Sequence, residues 1–401
     1  MPGPGRLYMD NAATSFPKPR TVLEAMRQYA TELGASPGRG SYHESIESGK
    51  LIARCRQRLN TLINGENPDH VVFTLNCSDA LNLAIKGVVR PGDHIITTNL
   101  DHNSILRPFN RLVADGVAEQ TRVPVDPATG LVDVDDIARA IRPDTRLIAL
   151  LHASNVTGTM QDIAAIGRIA KQQQVLFCVD AAQSLGHVPI DVQAMGIDLL
   201  AAPGHKGLLG PLGTGLLYIR PGVESQMVPL REGGTGSLSE RDLQPDFMPD
   251  RFEAGSHNTL GIAGLSEGVA YLLDRGVDAI ASHEQALVKT MLESLTEWGE
   301  MPGFTLYGPQ GVKHRCGVFS VRIDGLEPHE LSAILETQYG ILTRSGLHCA
   351  PGAHATLGTT EHGGTTRLSF GPFLSTQEVK YAADALGQIC HELASSRATT
   401  V

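Results

Sequence analysis

Between residues 70 and 220 the chain alternates short apolar, β-branched runs with stretches of helical periodicity, and this alternation narrows its fold more than any other feature. The pattern predicts strands over 70–74, 93–98, 146–152, 175–179, 198–202 and 214–219. It predicts helices over 78–88, 105–114 and 162–174. A parallel strand pair needs a crossover of a dozen or more residues, usually a helix, so strands separated by helices favour a mostly parallel sheet covered on both faces. The expected fold is therefore α/β, and such sheets bind ligands at the carboxyl ends of their strands. At 401 residues the chain is long for a single core, and its pattern changes after about residue 261. Long helices are predicted over 261–300. A strand at 318–323, a helix at 330–339, strands at 342–344 and 367–370 and a helix at 377–393 then read as an α+β unit. We accordingly divide the chain into a large domain, 20–262, and a small one made of 1–19 and 263–401. The polar, Gly- and Pro-rich segment 233–249 reads as a surface loop.

Composition removes several function classes. Lys+Arg number 33 against Asp+Glu 43, a formal net charge of −10, so no overall positive field exists to hold a nucleic acid. No window approaches the roughly 18 uninterrupted apolar residues of a membrane span. The opening MPGPGRLYMDNAATS lacks the apolar core of a secretory signal, and the expected location is cytoplasmic. Six cysteines, none in a C-x-x-C pair, argue against a disulfide framework or structural zinc and suit a reducing compartment. No H-E-x-x-H ligand pair, Gly-rich dinucleotide fingerprint or phosphate loop is present, so no metal is expected.

Three residues stand out chemically. Lys206 lies in a glycine-rich turn, Gly204-His205-Lys206-Gly207, directly after a predicted strand. Asp180 ends the neighbouring apolar strand and so stands at the rim where a parallel sheet binds its ligand. Alone, a lysine is ordinarily a solvated surface group and an aspartate at a strand end a helix cap. Cys349 follows Arg344, Gly346 and His348, a polar and cationic setting that would lower a thiol pKa from its usual value of about 8.5. By contrast, Cys178 sits within an apolar strand and reads as core.

Together Lys206 and Asp180 match a lysine that forms a Schiff base with pyridoxal 5'-phosphate (PLP) and an aspartate that pairs with its ring nitrogen. The chain resembles the class V, fold-type I PLP enzymes, and among them the cysteine desulfurase and selenocysteine lyase family, group II. The resemblance rests on DNAAT (10–14), ASPGRG (35–40), DHNS (101–104), HASNVTGT (152–159), VDAAQ (179–183), GHKG (204–207), RFEAGSHNT (251–259) and RSGLHCAP (344–351). It implies that Lys206 holds PLP and moves the Cα proton, that Asp180 binds the ring nitrogen and Gln183 the phenolic oxygen, and that His102 stacks on the ring. The phosphate would sit at the helix start near Cys77 and Ser78, where free N–H groups favour an anion, with His205 as a further donor. Ser256 would reach the phosphate of a neighbouring subunit, which implies a homodimer. Arg367 would grip the substrate α-carboxylate beside Asn155 and Ala13, and Arg39 and His43 lie in a segment similar to the family's approach to the site. Cys349 would attack the substrate sulfur.

Four positions depart from the family. Pro203 replaces a hydroxyl residue that helps hold the phosphate, Cys77 and Ser78 replace a threonine pair, and Leu347 replaces a second histidine beside the nucleophile. The expected reaction is conversion of L-cysteine to L-alanine, with sulfur carried by Cys349 to an acceptor protein. Alternatives at this level are a selenocysteine lyase acting on L-selenocysteine, a class V aminotransferase-like enzyme with no use for Cys349, and a PLP-fold scaffold without chemistry.

Overall fold

Four runs of this chain that join one sheet are buried at every position: Val71–Thr74, Leu176–Asp180, Leu199–Pro203 and Gly215–Ile219. They meet in a computed structural model that describes residues 5–37, 40–238 and 240–398. In chain order the strands are β1 (Leu7–Tyr8), β2 (Val71–Thr74), β3 (Asp93–Thr98), β4 (Ala118–Val123), β5 (Thr145–Leu151), β6 (Leu176–Asp180), β7 (Leu199–Pro203), β8 (Gly215–Ile219), β9 (Phe304–Leu306), β10 (Val318–Ile323), β11 (Ile341–Leu342), β12 (Arg344–Gly346) and β13 (Thr365–Ser369). The helices are α1 (Arg20–Gln28), α2 (His43–Leu62), α3 (Cys77–Val88), α4 (Asn103–Ala114), α5 (Val134–Ala140), α6 (Ile163–Gln172), α7 (Thr259–Arg275), α8 (Val277–Glu297), α9 (Pro328–Tyr339), α10 (Pro351–Thr356) and α11 (Thr376–Ala398).

A seven-stranded sheet runs β2-β8-β7-β6-β5-β3-β4. The five strands from β7 to β4 are mutually parallel, and β8 is antiparallel to both neighbours. The turn between β7 and β8 contains no crossover helix, so the chain reverses there. Apolar side chains of both faces form two cores, one under α2, α6 and α7 and one under α3 and α4. The fold is the mostly parallel α/β architecture expected from the sequence. Its edge strand β4 and the following α5 were not anticipated: Glu119 and Arg122 are exposed, and a half-solvated edge carries too few apolar residues to show a strand pattern.

The second unit is an antiparallel sheet, β12-β13-β10-β9, with a two-stranded parallel pair of β1 and β11 beside it. Asp10 bridges Ser369, which stitches the amino-terminal arm to this unit. The predicted strand 342–344 divides at Thr343, because Ile341–Leu342 pairs with β1 and Arg344–Gly346 pairs with β13. The three-residue β9, only part-buried, gave no sequence signal. Gly276, at φ +80°, separates α7 from α8 within the helical run 261–300. The division at residues 262 and 263 falls inside α7, whose Leu265, Val269 and Leu272 pack into the core of the seven-stranded sheet. Leu287, Val288 and Met291 of α8 instead join the core of the second unit. Segment 233–249 contains no helix or strand among its described residues and is largely exposed. Among the described residues no helix is long and apolar enough to cross a membrane.

One ion pair holds the large unit's flank. Arg56 of α2 forms a two-armed bond to Glu253 at 2.8 and 2.9 Å, both side chains nearly fully buried. Glu253 also accepts the Phe73 N–H at 2.7 Å and contacts His257 at 3.0 Å. Burial alone would raise the Glu253 pKa, but the Arg56 charge and the bonds from His257 and Arg56 override it and bring it down to about 2. A carboxyl whose folded pKa lies below its unfolded value adds stability that is present above about 4.5 and lost as pH falls toward about 2. Glu253→Gln would leave Arg56 buried without a counter-charge, and we expect a loss of about 3 kcal/mol at pH 7, read by urea unfolding. The difference between variant and wild type should shrink as the pH is lowered through that window.

Candidate active site

The carboxyl ends of β2, β3, β5, β6 and β7 converge on one pocket. Its walls include Cys77, Ser78, His102, Asn155, Asp180, Gln183, Pro203, His205 and Lys206, so eight of the predicted site residues meet here beside Pro203. Lys206 leaves the turn after β7, and the compact GHKG geometry requires glycine: a Cβ on Gly207 would stand 2.3 Å from the Leu185 carbonyl oxygen. The Lys206 amine has no hydrogen-bond or ion-pair partner among the described residues. Burial lowers its pKa below the ordinary lysine range, while the Asp180 charge opposes that shift. Asp180, at the end of β6, accepts at Oδ1 from the Ala182 N–H (2.9 Å) and from the Cys77 thiol (3.4 Å), while Oδ2 has no hydrogen-bond partner among the described residues.

Helix α3 opens on the pocket. The Asn76 side chain accepts the Asp79 N–H at 3.0 Å, which leaves the N–H groups of Cys77 and Ser78 to an incoming anion. His102 both caps α4, accepting the Ser104 N–H at 3.1 Å, and lines the pocket. Burial lowers its pKa to about 4, so it is neutral at neutral pH. The loop carrying it is fixed by Asp101, which sequence reading passed over. This fully buried carboxylate accepts from Thr97, Thr98 and the Leu151 N–H at 2.6–2.8 Å. Burial still raises its pKa to about 6. His205 keeps a buried Nδ1 without a partner, and burial holds its pKa near 4.

Gln183 donates through Nε2 to the Ala12 carbonyl at 2.9 Å, which seats the amino-terminal arm against the pocket. Ala13 is part-buried on that arm and outside the pocket's lining. Ser256 is exposed and lines a separate cleft with Thr74, Leu75 and Gly213, so one chain does not bring it to Lys206. Arg39 lies outside the described residues, and His43 begins α2.

Cys349 is the one exposed cysteine of six, and all six are unpaired. Its loop is pinned to the large unit on both sides: Asn155 Nδ2 donates to the His348 carbonyl (2.7 Å), and the Asn103 N–H donates to the Cys349 carbonyl (3.0 Å). His348 and Cys349 take left-handed backbone angles, φ +49° and +59°, a conformation side chains rarely adopt and one often held at functional loops. Gly364 makes room for the loop, since a Cβ there would meet the Gly346 oxygen at 2.2 Å. The cationic reading of His348 is corrected. Its ring is buried against Thr365, and burial, helped by the Arg367 charge, lowers its pKa to about 2, so it remains neutral beside the thiol.

Arg367 on β13 is 1% exposed and donates to the Asn155 carbonyl at 3.1 Å and to Asp10 Oδ1 at 2.7 Å. The Asp10 contact was absent from the sequence reading.

Residues 7–381 match the protein family described as Aminotransferase class-V. A probable cysteine desulfurase of Methanothermobacter thermautotrophicus is 36% identical over 96% of this chain and 94% of its own length. The chain belongs to the class-V aminotransferase family, in its cysteine desulfurase branch. A cysteine desulfurase of Escherichia coli is 34% identical over 86% of this chain and 84% of its own. Among solved structures, the apo cysteine desulfurase of Thermococcus onnurineus superposes with a TM-score of 0.88 at 34% identity, covering 96% of this chain and 95% of that one. An Escherichia coli cysteine desulfurase carrying an S-sulfonic acid gives 0.83 at 28% identity, covering 96% and 94%. The family is PLP-dependent, and the pocket's chemistry fits that cofactor. It offers an unpartnered amine, a buried carboxylate with one free oxygen, two free N–H groups at a helix start and an orphaned imidazole nitrogen.

Proposed function

We propose that this chain is a cysteine desulfurase that converts L-cysteine to L-alanine and passes the sulfur through Cys349 to an acceptor protein. The observation that carries this reading is the exposed Cys349 on a strained loop tied to Asn155 and Asn103, beside the pocket that holds Lys206 and Asp180. Lys206 would hold the cofactor through its amine, Asp180 Oδ2 would pair with its ring nitrogen, and the α3 N–H groups with His205 would hold its phosphate. Pro203 offers no hydroxyl, so these donors carry the phosphate alone. PLP, when bound, supplies an electron sink conjugated with the substrate Cα.

Arg367 orients the substrate by its carboxylate. Lys206 would be the base that takes the Cα proton, and His102, neutral at the pocket wall, would pack against the cofactor. The Cys349 thiolate then forms an S–S bond to the substrate sulfur as the Cβ–S bond breaks. The bonding pair stays with the carbon, which takes up a proton and leaves as alanine, while Cys349 keeps the sulfur as a persulfide. A thiol or acceptor protein removes it. L-selenocysteine is a second substrate to be tested.

Exposed Ser256, which shares its cleft with exposed Leu75, supports a homodimer in which each chain completes the other's phosphate site. The six unpaired cysteines support a reducing, cytoplasmic setting. The direct test is absorbance of the PLP-loaded protein before and after L-cysteine, with alanine and sulfide counted in the presence of a thiol reductant. Equal yields of both products are expected; a shifted band without alanine would contradict the proposal.

A further inference from the structure

Arg367 is almost fully buried, and a buried guanidinium without a counter-charge is strongly destabilising. Asp10 meets that need. Its Oδ1 lies 2.7 Å from a terminal Arg367 nitrogen, its side chain is 21% exposed, and the Asp10 backbone is fixed by the Tyr8 hydroxyl (3.1 Å) and the bridge to Ser369. The other terminal nitrogen donates to the Asn155 carbonyl, while Nε is buried with no partner among the described residues. Arg344 stands directly opposite Arg367 in the β12–β13 register and adds a second positive charge that acts on it. Asp10 is the carboxylate paired with Arg367, and the Arg344 charge stands beside that pair. The unpartnered Nε and the excess charge leave room for a second anion.

We propose that Asp10 is an internal stand-in for the substrate α-carboxylate. It neutralises Arg367 in the ligand-free protein and opposes the incoming amino acid, so it sets how tightly the site holds its ligand. This rests on the proposed role of Arg367. When an α-carboxylate reaches the guanidinium, it meets the Asp10 carboxylate at short range, and their repulsion in a partly buried site weakens binding. Asn at position 10 would keep an oxygen to accept from Arg367 while removing the charge.

The test titrates PLP-loaded Asp10→Asn with L-alanine, following cofactor absorbance, and repeats the titration with ethylamine, which lacks a carboxylate. Asp10→Ser serves as a second charge-removing variant. The Kd for L-alanine is expected to fall about tenfold, with ethylamine affinity unchanged. The ligand-free melting temperature should drop, and saturating L-alanine should restore it. An unchanged or increased Kd for L-alanine in both variants overturns the proposal. Arg367→Leu separates the two levels of the argument. If it leaves L-alanine affinity intact, the role of Arg367 fails and this inference with it; if it abolishes binding while Asp10→Asn does not tighten it, only the inference fails.

Discussion

Lys206→Ala is expected to lower alanine formation from L-cysteine by at least about a thousandfold, the scale of losing a residue that serves as both covalent anchor and proton carrier. The expectation rests on geometry. Lys206 is the lysine of the pocket, it has no partner among the described residues, and it shares that pocket with Asp180. Arginine at the same position keeps the charge but cannot form the bond, so Lys206→Arg should be as inactive as alanine. A second readout does not depend on turnover. Borohydride treatment of the loaded wild-type protein should fix the cofactor on the peptide containing Lys206, and neither variant should retain it after denaturation. Retention on another lysine would place the anchor elsewhere.

Cys349→Ser is expected to reduce alanine production from L-cysteine at least about a hundredfold while leaving the cofactor band and L-alanine affinity unchanged. Serine preserves size and tolerates the same loop, but its hydroxyl is a poor nucleophile toward sulfur. No other cysteine can substitute. Burial pushes the Cys55 thiol up to about 12 and the Cys390 thiol to about 11, and it raises those of Cys77, Cys178 and Cys316 as well. With His348 neutral, the positive charge near the Cys349 loop comes from Arg344 on β12 and from Arg367, which interacts with Cys349. Turnover of L-selenocysteine by Cys349→Ser would identify a route that needs no thiolate attack. Full activity toward L-cysteine would remove Cys349 from the reaction.

The sequence made the central sheet legible because β2, β5, β6, β7 and β8 are apolar at most positions, and β3 falls on its expected residues. The edge strand β4 escaped because exposed charges alternate with few apolar residues. The division of 342–344 into two strands depends on β1, which arrives from the other end of the chain. The site followed the same rule. Lys206, Asp180 and Cys349 sit in local motifs whose chemistry can be read from their neighbours. Asp10 and Arg367 are 357 residues apart, so no spacing reveals their contact. His348 looked cationic beside a cysteine, and only the packing of Thr365 and His354 around it shows that burial keeps it neutral. Ser256 is legible as a motif, yet its place relative to Lys206 depends on a second chain.

The central claim is that Cys349 carries the sulfur, and a single-turnover experiment reads this directly. The PLP-loaded protein is mixed with one equivalent of L-cysteine without reductant, then analysed by intact and peptide mass spectrometry while alanine is counted. The account predicts one alanine per chain and one added sulfur atom on the peptide containing Cys349, removed by a thiol. Alanine formed with no sulfur on that peptide, or sulfur found on another cysteine, would contradict it.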